Sequence, residues 1–183
     1  MSSALAIRGA TPADFDAWFA LYDEVAAEGR WIGGEAPANR EGSRRLFDHC
    51  LTSDDAVALV AEAGVELVGE LHVLATNGLA DLGMMVRDGH RGRGIGWSLM
   101  EACLDWCRDR GVHKVSLSVW PHNAAALALY DRFGFVVEGR LRRHHRRRSG
   151  ELWDAIQMGL VLDADSPGSP HPDAPESPPG ARS

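Results

Sequence analysis

Gly92, Gly94 and Gly96 alternate in the run Val86-Arg87-Asp88-Gly89-His90-Arg91-Gly92-Arg93-Gly94-Ile95-Gly96. An apolar extended segment ends at Val86 and an apolar helical pattern opens at Ile95. The run therefore reads as a strand, a glycine turn and a helix start. Glycine allows positive φ and a close approach of backbone to a ligand. The free N–H groups and the dipole of a helix N-terminus favour an anion, and Arg91 and Arg93 add positive charge beside it. This is chemistry for a phosphate or pyrophosphate. It is not the dinucleotide fingerprint, because Trp97 stands where the third glycine belongs and no acidic residue follows about 20 positions on. Nor is it a Walker A loop, which needs Gly-Lys-Ser/Thr. An ordinary Gly-Arg turn is the plain alternative, and three alternate glycines opening an amphipathic helix weigh against it.

Other residues could act on a ligand held there. Asn123 and Tyr130 are seven positions apart, two helical turns, and share one face. Asn123 is also a natural N-cap, and Tyr130 could equally pack its ring in the core. Glu70 and His72 have the same parity on one strand and point the same way. Either a base toward a cleft or a solvated carboxylate suits Glu70. Cys103 and Cys107 stand at i, i+4 without a metal partner and read as buried thiols; no metal site is expected. Arg140, Arg142, Arg143, Arg146, Arg147 and Arg148 crowd one segment around His144 and His145. A solvated basic hairpin is the favoured reading, and an anion site the sharper one.

These residues must be positioned by a series of alternating elements. Leu5–Ile7 is a short strand. Thr11-Pro12-Ala13-Asp14 opens a helix in which Phe15, Trp18, Phe19, Tyr22 and Val25 recur at helical spacing. A loop from Gly29 to Ala38 precedes a second helix over Arg40–Leu51. Strands follow at Val57–Ala61, Val65–Leu74 and Asp81–Val86, then a long helix over Ile95–Arg110. Val115–Val119 is a strand, Asn123 caps a helix through Arg132, and Phe135–Glu138 and Leu152–Leu162 close the chain. The order is β-α-α-β-β-β-α-β-α-β-β, an α/β domain on a mixed sheet. Asp163–Ser183 carries six of the nine prolines and no large apolar residue. It reads as a disordered tail, leaving residues 1–162 as one domain.

Composition bounds the rest. The chain has 183 residues, 45% hydrophobic, with net charge −7 and three cysteines. It is long enough for a real core and has no apolar run that could span a membrane. Met1-Ser2-Ser3-Ala4-Leu5 holds no basic segment followed by an apolar one, so a secretory signal is not expected, and the few cysteines fit a reducing cytoplasm. The acidic balance argues against nucleic acid as a partner.

Arg91-Gly92-Arg93-Gly94-Ile95-Gly96 is similar to the Arg/Gln-x-x-Gly-x-Gly/Ala motif of the GNAT superfamily of acetyl-CoA-dependent N-acetyltransferases. Asn123, Ala126, Tyr130, Gly134 and Phe135 resemble its second block, Asn-x-x-Ala-x-x-x-Tyr-x-x-x-Gly-Phe. The resemblance runs from about Glu66 to Leu162. The closing run from Gly150 to Met158 looks like bacterial members acting on small substrates, including amino acids.

The resemblance implies a single-domain GNAT fold, with a mixed, mostly antiparallel sheet, two splayed parallel strands and flanking helices. It implies acetyl-CoA as cosubstrate, held by the 91–96 loop, by the Met84-Met85-Val86 strand end through its backbone, and by Asn123 and Ala126. Tyr130 would serve the departing thiolate and Glu70 would be the base. Trp31, Glu70, His72 and Asp154 would face the acceptor. Some protein-acetylating relatives place a Glu five residues before the Asn; here Ser118 stands there. The expected acceptor is therefore a small-molecule amine such as an amino acid, attacked directly in a ternary complex, with a protein N-terminus or lysine as the second choice. A non-catalytic acyl-CoA-binding or interaction module is the rival of another class. The fold also admits a homodimer.

Overall fold

The computed structural model describes residues 5–162, so the expectation for the 163–183 tail lies outside the described residues. Strand β1 (Leu5–Gly9) leads through one 3₁₀ turn (Pro12–Asp14) into α1 (Phe15–Ala27). The Asp14 carboxylate accepts from both the Thr11 N–H and its hydroxyl at 2.7 and 2.8 Å, fixing the helix entry. Helix α2 (Arg40–Thr52) starts at Asn39, whose side chain accepts from the Gly42 N–H at 3.1 Å. Strands β2 (Ala56–Ala63), β3 (Glu66–Thr76) and β4 (Leu79–Val86) follow as a meander. Then come α3 (Ile95–Asp109), β5 (Lys114–Val119), α4 (Ala124–Arg132), β6 (Val136–Arg146) and β7 (Leu152–Val161).

The seven strands form one sheet in the order β1-β2-β3-β4-β5-β7-β6. Every neighbouring pair is antiparallel except β4 and β5. That parallel pair is short: Leu79, Ala80 and Asp81 face Lys114, Val115 and Ser116, and pairing then stops. Leu82–Val86 and Leu117–Val119 run on apart, so the sheet opens into a wedge at its centre.

Each face of the sheet has its own core. On one, α3 buries Ile95, Leu99, Met100, Cys103, Leu104 and Cys107, a stripe at helical spacing, against Val68, Leu71, Val73 and Leu82. Gly69 lets α3 settle that closely, because a Cβ there would lie 2.9 Å from Ile95. Full burial of a side chain such as Leu99 contributes about 2 kcal/mol. On the other face, Phe15, Trp18, Leu21 and Val25 of α1 join Phe47 of α2 over Val60, Leu67 and Met85.

The element order matches the sequence pattern throughout, with one instructive difference. The sixth strand runs on to Arg146 instead of ending at Glu138. As an edge strand it has one hydrogen-bonded neighbour and one solvent side, so its alternating apolar signal is weak. The basic segment is thus mostly strand, bulged where the register slips between Leu141 and His145.

Candidate active site

The phosphate-type loop is built from backbone. Gly89, Gly92 and Gly94 take φ of +73°, +73° and +83°. Gly94 is the N-cap of α3 in the left-handed region, where a side chain would be strained. No side chain caps the helix and no acidic residue occupies its first turn. The first helical N–H groups therefore point out unclaimed, at the positive end of a 15-residue helix.

From this helix end a cavity of about 690 Å³ runs along the β4–β5 wedge to the loop after α1. Met84, Met85, Val86, Gly92, Gly94, Ile95 and Gly96 line its first part, and Asn123, Ala126 and Tyr130 of the α4 segment face them. Beyond the wedge the walls are Trp31, Ile32 and Gly33 on one side and Trp120, His144 and His145 on the other. The lining holds no Asp or Glu.

Tyr130 is almost fully buried, and its ring tilts against Phe135 at 5.7 Å. Burial, with Cys103 nearby, pushes its phenol well above the ordinary value, so the hydroxyl keeps its proton at neutral pH. Asn123 does cap α4, accepting from the Ala126 N–H at 3.3 Å. Arg91 lines the cavity, but its guanidinium is engaged: Nε donates to the Val86 carbonyl at 2.9 Å, and both Nη groups pair with Glu28. Arg93 stays exposed and outside the lining.

Besides Arg93, three expected residues are not brought to the cavity. Glu70 and His72 alternate with Leu71 and so point to the α1–α2 face. Glu70 is 2% exposed, one strand away from the cavity beside Met85, and it hydrogen-bonds His72 Nδ1 at 3.0 Å. Burial opposes the charge on His72, but the Glu70 carboxylate, helped by Asp81, outweighs it and raises the His72 pKa. Asp154 alternates with the cavity-lining Ala155. It accepts instead from Arg140 Nε at 2.8 Å and from the Arg143 N–H at 2.7 Å, tying down the β6 bulge.

Two contributors had no signal in the sequence. Glu28, at the end of α1, accepts from Trp31 Nε1 at 2.5 Å while holding Arg91, which is 63 positions on. Trp120 meets Trp153 and His145 edge-on at 5.4 and 5.3 Å and walls the far end.

An open helix N-terminus, a sheet wedge exposing unpaired β4 backbone and a buried phenol along one cavity fit a long anionic thioester. The acetyltransferase (GNAT) family matches residues 18–135, and the chain belongs to it. It is an acetyl-CoA-dependent N-acetyltransferase. Over 163 residues it is 26% identical to an L-methionine sulfoximine/L-methionine sulfone acetyltransferase of Pseudomonas paraeruginosa, covering 86% of this chain and 94% of that one. Over 168 residues it is 27% identical to an L-amino acid N-acetyltransferase of Escherichia coli, covering 87% and 99%. The ribosomal-protein-alanine N-acetyltransferase structure from Brucella melitensis superimposes with a TM-score of 0.79 at 27% identity, covering 86% of this chain and 99% of that one. No helix among the described residues is long and apolar enough to cross a membrane.

Proposed function

We propose that the chain acetylates the primary amine of a small amino-acid-like acceptor, by direct attack within a ternary complex. The observation that carries this is the charge of the cavity's far end. Trp31, Ile32 and Trp120 give it apolar walls, and His144 and His145 are its ionisable groups, with no carboxylate in the lining. A polycationic amine finds no counter-charge there. A carboxylate beside an apolar side chain finds imidazole N–H donors and aromatic surface. The similarity to the two amino-acid-type relatives supports the same reading.

Acetyl-CoA bound along the wedge supplies the activated acetyl thioester. The residues divide the remaining work. Unclaimed N–H groups at the start of α3 hold the pyrophosphate. The β4 backbone from Leu82 to Val86, unpaired toward β5, bonds the pantetheine arm, and one of its N–H groups polarises the thioester carbonyl. Tyr130 donates a hydrogen bond to the departing sulfur. A thiol has a pKa of about 8.5, and the phenol stays protonated above that. The donor thus assists as charge develops and does not give up its proton early. An α-amine has a pKa of about 8, so a fair fraction is neutral at pH 7. The acceptor attacks as the neutral amine: as the N–C bond forms and the C–S bond breaks, the nitrogen gives one of its two protons to water and the CoA thiolate leaves hydrogen-bonded to Tyr130. Glu70 stands outside this scheme.

The test is release of free CoA with a panel of L-amino acids, a polyamine and a peptide with N-terminal alanine. The amino acids with large apolar side chains should turn over best. Tyr130→Phe should lower kcat about 100-fold with the acetyl-CoA Kd unchanged. Preference for the polyamine or the peptide, or an undiminished kcat in the variant, overturns the reading.

A further inference from the structure

The arginine block between Arg140 and Arg148 takes no part in the reaction as proposed, and one of its members is not a surface residue. Arg147 is 4% exposed; with Glu70 it makes up the buried charged residues of the described chain. Burying a guanidinium is costly unless its donors and its charge are matched. Here the match is to a loop more than 100 positions away in sequence. Nη1 donates to the Ile32 and Gly33 carbonyls at 3.3 and 3.2 Å, and Nη2 donates to the Gly29 carbonyl at 3.4 Å. Glu35 lies 3.6 Å from Nη2, and the Trp153 ring sits 4.5 Å from the guanidinium carbon. The neighbouring Arg148 continues the strap, donating from its side chain to the Ala36 and Pro37 carbonyls at 2.9 and 3.1 Å.

The segment so held belongs to no helix or strand, so no ladder fixes its backbone. The Arg30 carbonyl accepts from His122 Nε2 at 2.7 Å. Of the five carbonyls from Gly29 to Gly33, those of Gly29, Arg30, Ile32 and Gly33 therefore end on side chains of the β6–β7 hairpin and the β5–α4 connection. The same segment carries Trp31, Ile32 and Gly33, one wall of the far end.

We propose that Arg147 is the positioning residue for acceptor recognition, its buried fork fixing the Gly29–Gly33 backbone so that Trp31 and Ile32 meet the acceptor. The inference rests on the far end being the acceptor pocket. The fork geometry is what matters. A lysine offers one compact ammonium and cannot span the Gly29, Ile32 and Gly33 carbonyls in one plane. The residue touches neither reacting group, so its loss should weaken acceptor capture and leave cosubstrate binding alone.

The experiment uses the full chain with Arg147→Lys and Arg147→Met. Three things are measured: steady-state kinetics with the best amino acid of the panel, acetyl-CoA binding by calorimetry, and hydrogen exchange of amides 29–38. Arg147→Met should raise the acceptor KM about tenfold or more, with kcat falling less. The acetyl-CoA Kd should stay within about twofold, and exchange should speed up in 29–38 but not in α3. Arg147→Lys should recover part of the KM and little of the exchange protection. An unchanged KM in Arg147→Met overturns the proposal. So does a loss in which acetyl-CoA Kd, exchange in α3 and melting temperature all move together, since that marks a general folding role. If the intact protein acetylates no amino acid, the acceptor reading fails by itself, and unchanged exchange in 29–38 then overturns the positioning role as well.

Discussion

At one end of the cavity the protein offers backbone, and at the other it offers side chains gathered from far apart. The loop end is one continuous stretch, Val86 to Gly96, whose glycines and helix start present backbone N–H groups. The far end is assembled from the loop after α1, the β5–α4 connection and the β6–β7 hairpin. A site made of local backbone tolerates change in its neighbours but not in its glycines. One assembled from loops can be retuned at many positions, each with a modest effect. On the proposed reading, the fold separates a fixed cosubstrate grip from an adjustable acceptor pocket.

The largest effect expected from breaking this contrast is at Gly94. Gly94→Asp places a Cβ at φ +83° and a carboxylate at the helix N-terminus. The strain costs about 1–3 kcal/mol, and the charge opposes the incoming phosphate. Calorimetry should show acetyl-CoA binding weakened about 100-fold or more. A near-normal Kd would mean the loop does not hold the pyrophosphate.

Glu28 joins the two ends, holding Arg91 of the loop and Trp31 of the pocket. Arg91, seconded by Trp31, keeps its carboxyl below the usual range. The pair is partly exposed, so about 1 kcal/mol or less is at stake. Glu28→Gln should therefore shift acceptor KM and acetyl-CoA Kd together, each by less than about fivefold. A change in one alone would show the ends to be independent.

The smallest effect is expected at the Glu70–His72 pair, which lies outside the cavity lining. The folded pKa of His72 is raised, so its stabilisation is fully present below the unfolded value of about 6.5 and is lost as pH rises through the folded value. The melting temperature of the intact protein should exceed that of His72→Gln by about 2–4 °C near pH 6, and the gap should shrink toward pH 9. Glu70→Gln should remove the same pH dependence while leaving kcat within about threefold. A kcat lost about 100-fold in a well-folded Glu70→Gln would restore Glu70 as the base.

How much was legible follows from the same contrast. The 91–96 glycine run and the Asn123–Tyr130 spacing stand out because they are local: a helix start and a two-turn repeat are set by a few adjacent residues. Helix and strand order was equally readable, since burial periodicity is a property of each segment. The long β6 was not, because an edge strand with one wet side carries no strong pattern. Glu70 drew attention through the family resemblance, which often places a carboxylate on that strand. Parity told that it shares a face with His72 but not which face.

What the sequence by itself determined was the family fold, the glycine loop that opens α3 and a tyrosine on α4. Only the tertiary structure decided that Arg91 pairs with Glu28, that Glu70 is buried beside Met85 outside the cavity lining and that Arg147 is buried under the Gly29–Gly33 loop. The physical reason is range. Backbone conformation and helix-end electrostatics act over a turn or two. The partner of a buried charge is chosen by which distant segments the folded sheet brings within hydrogen-bonding distance.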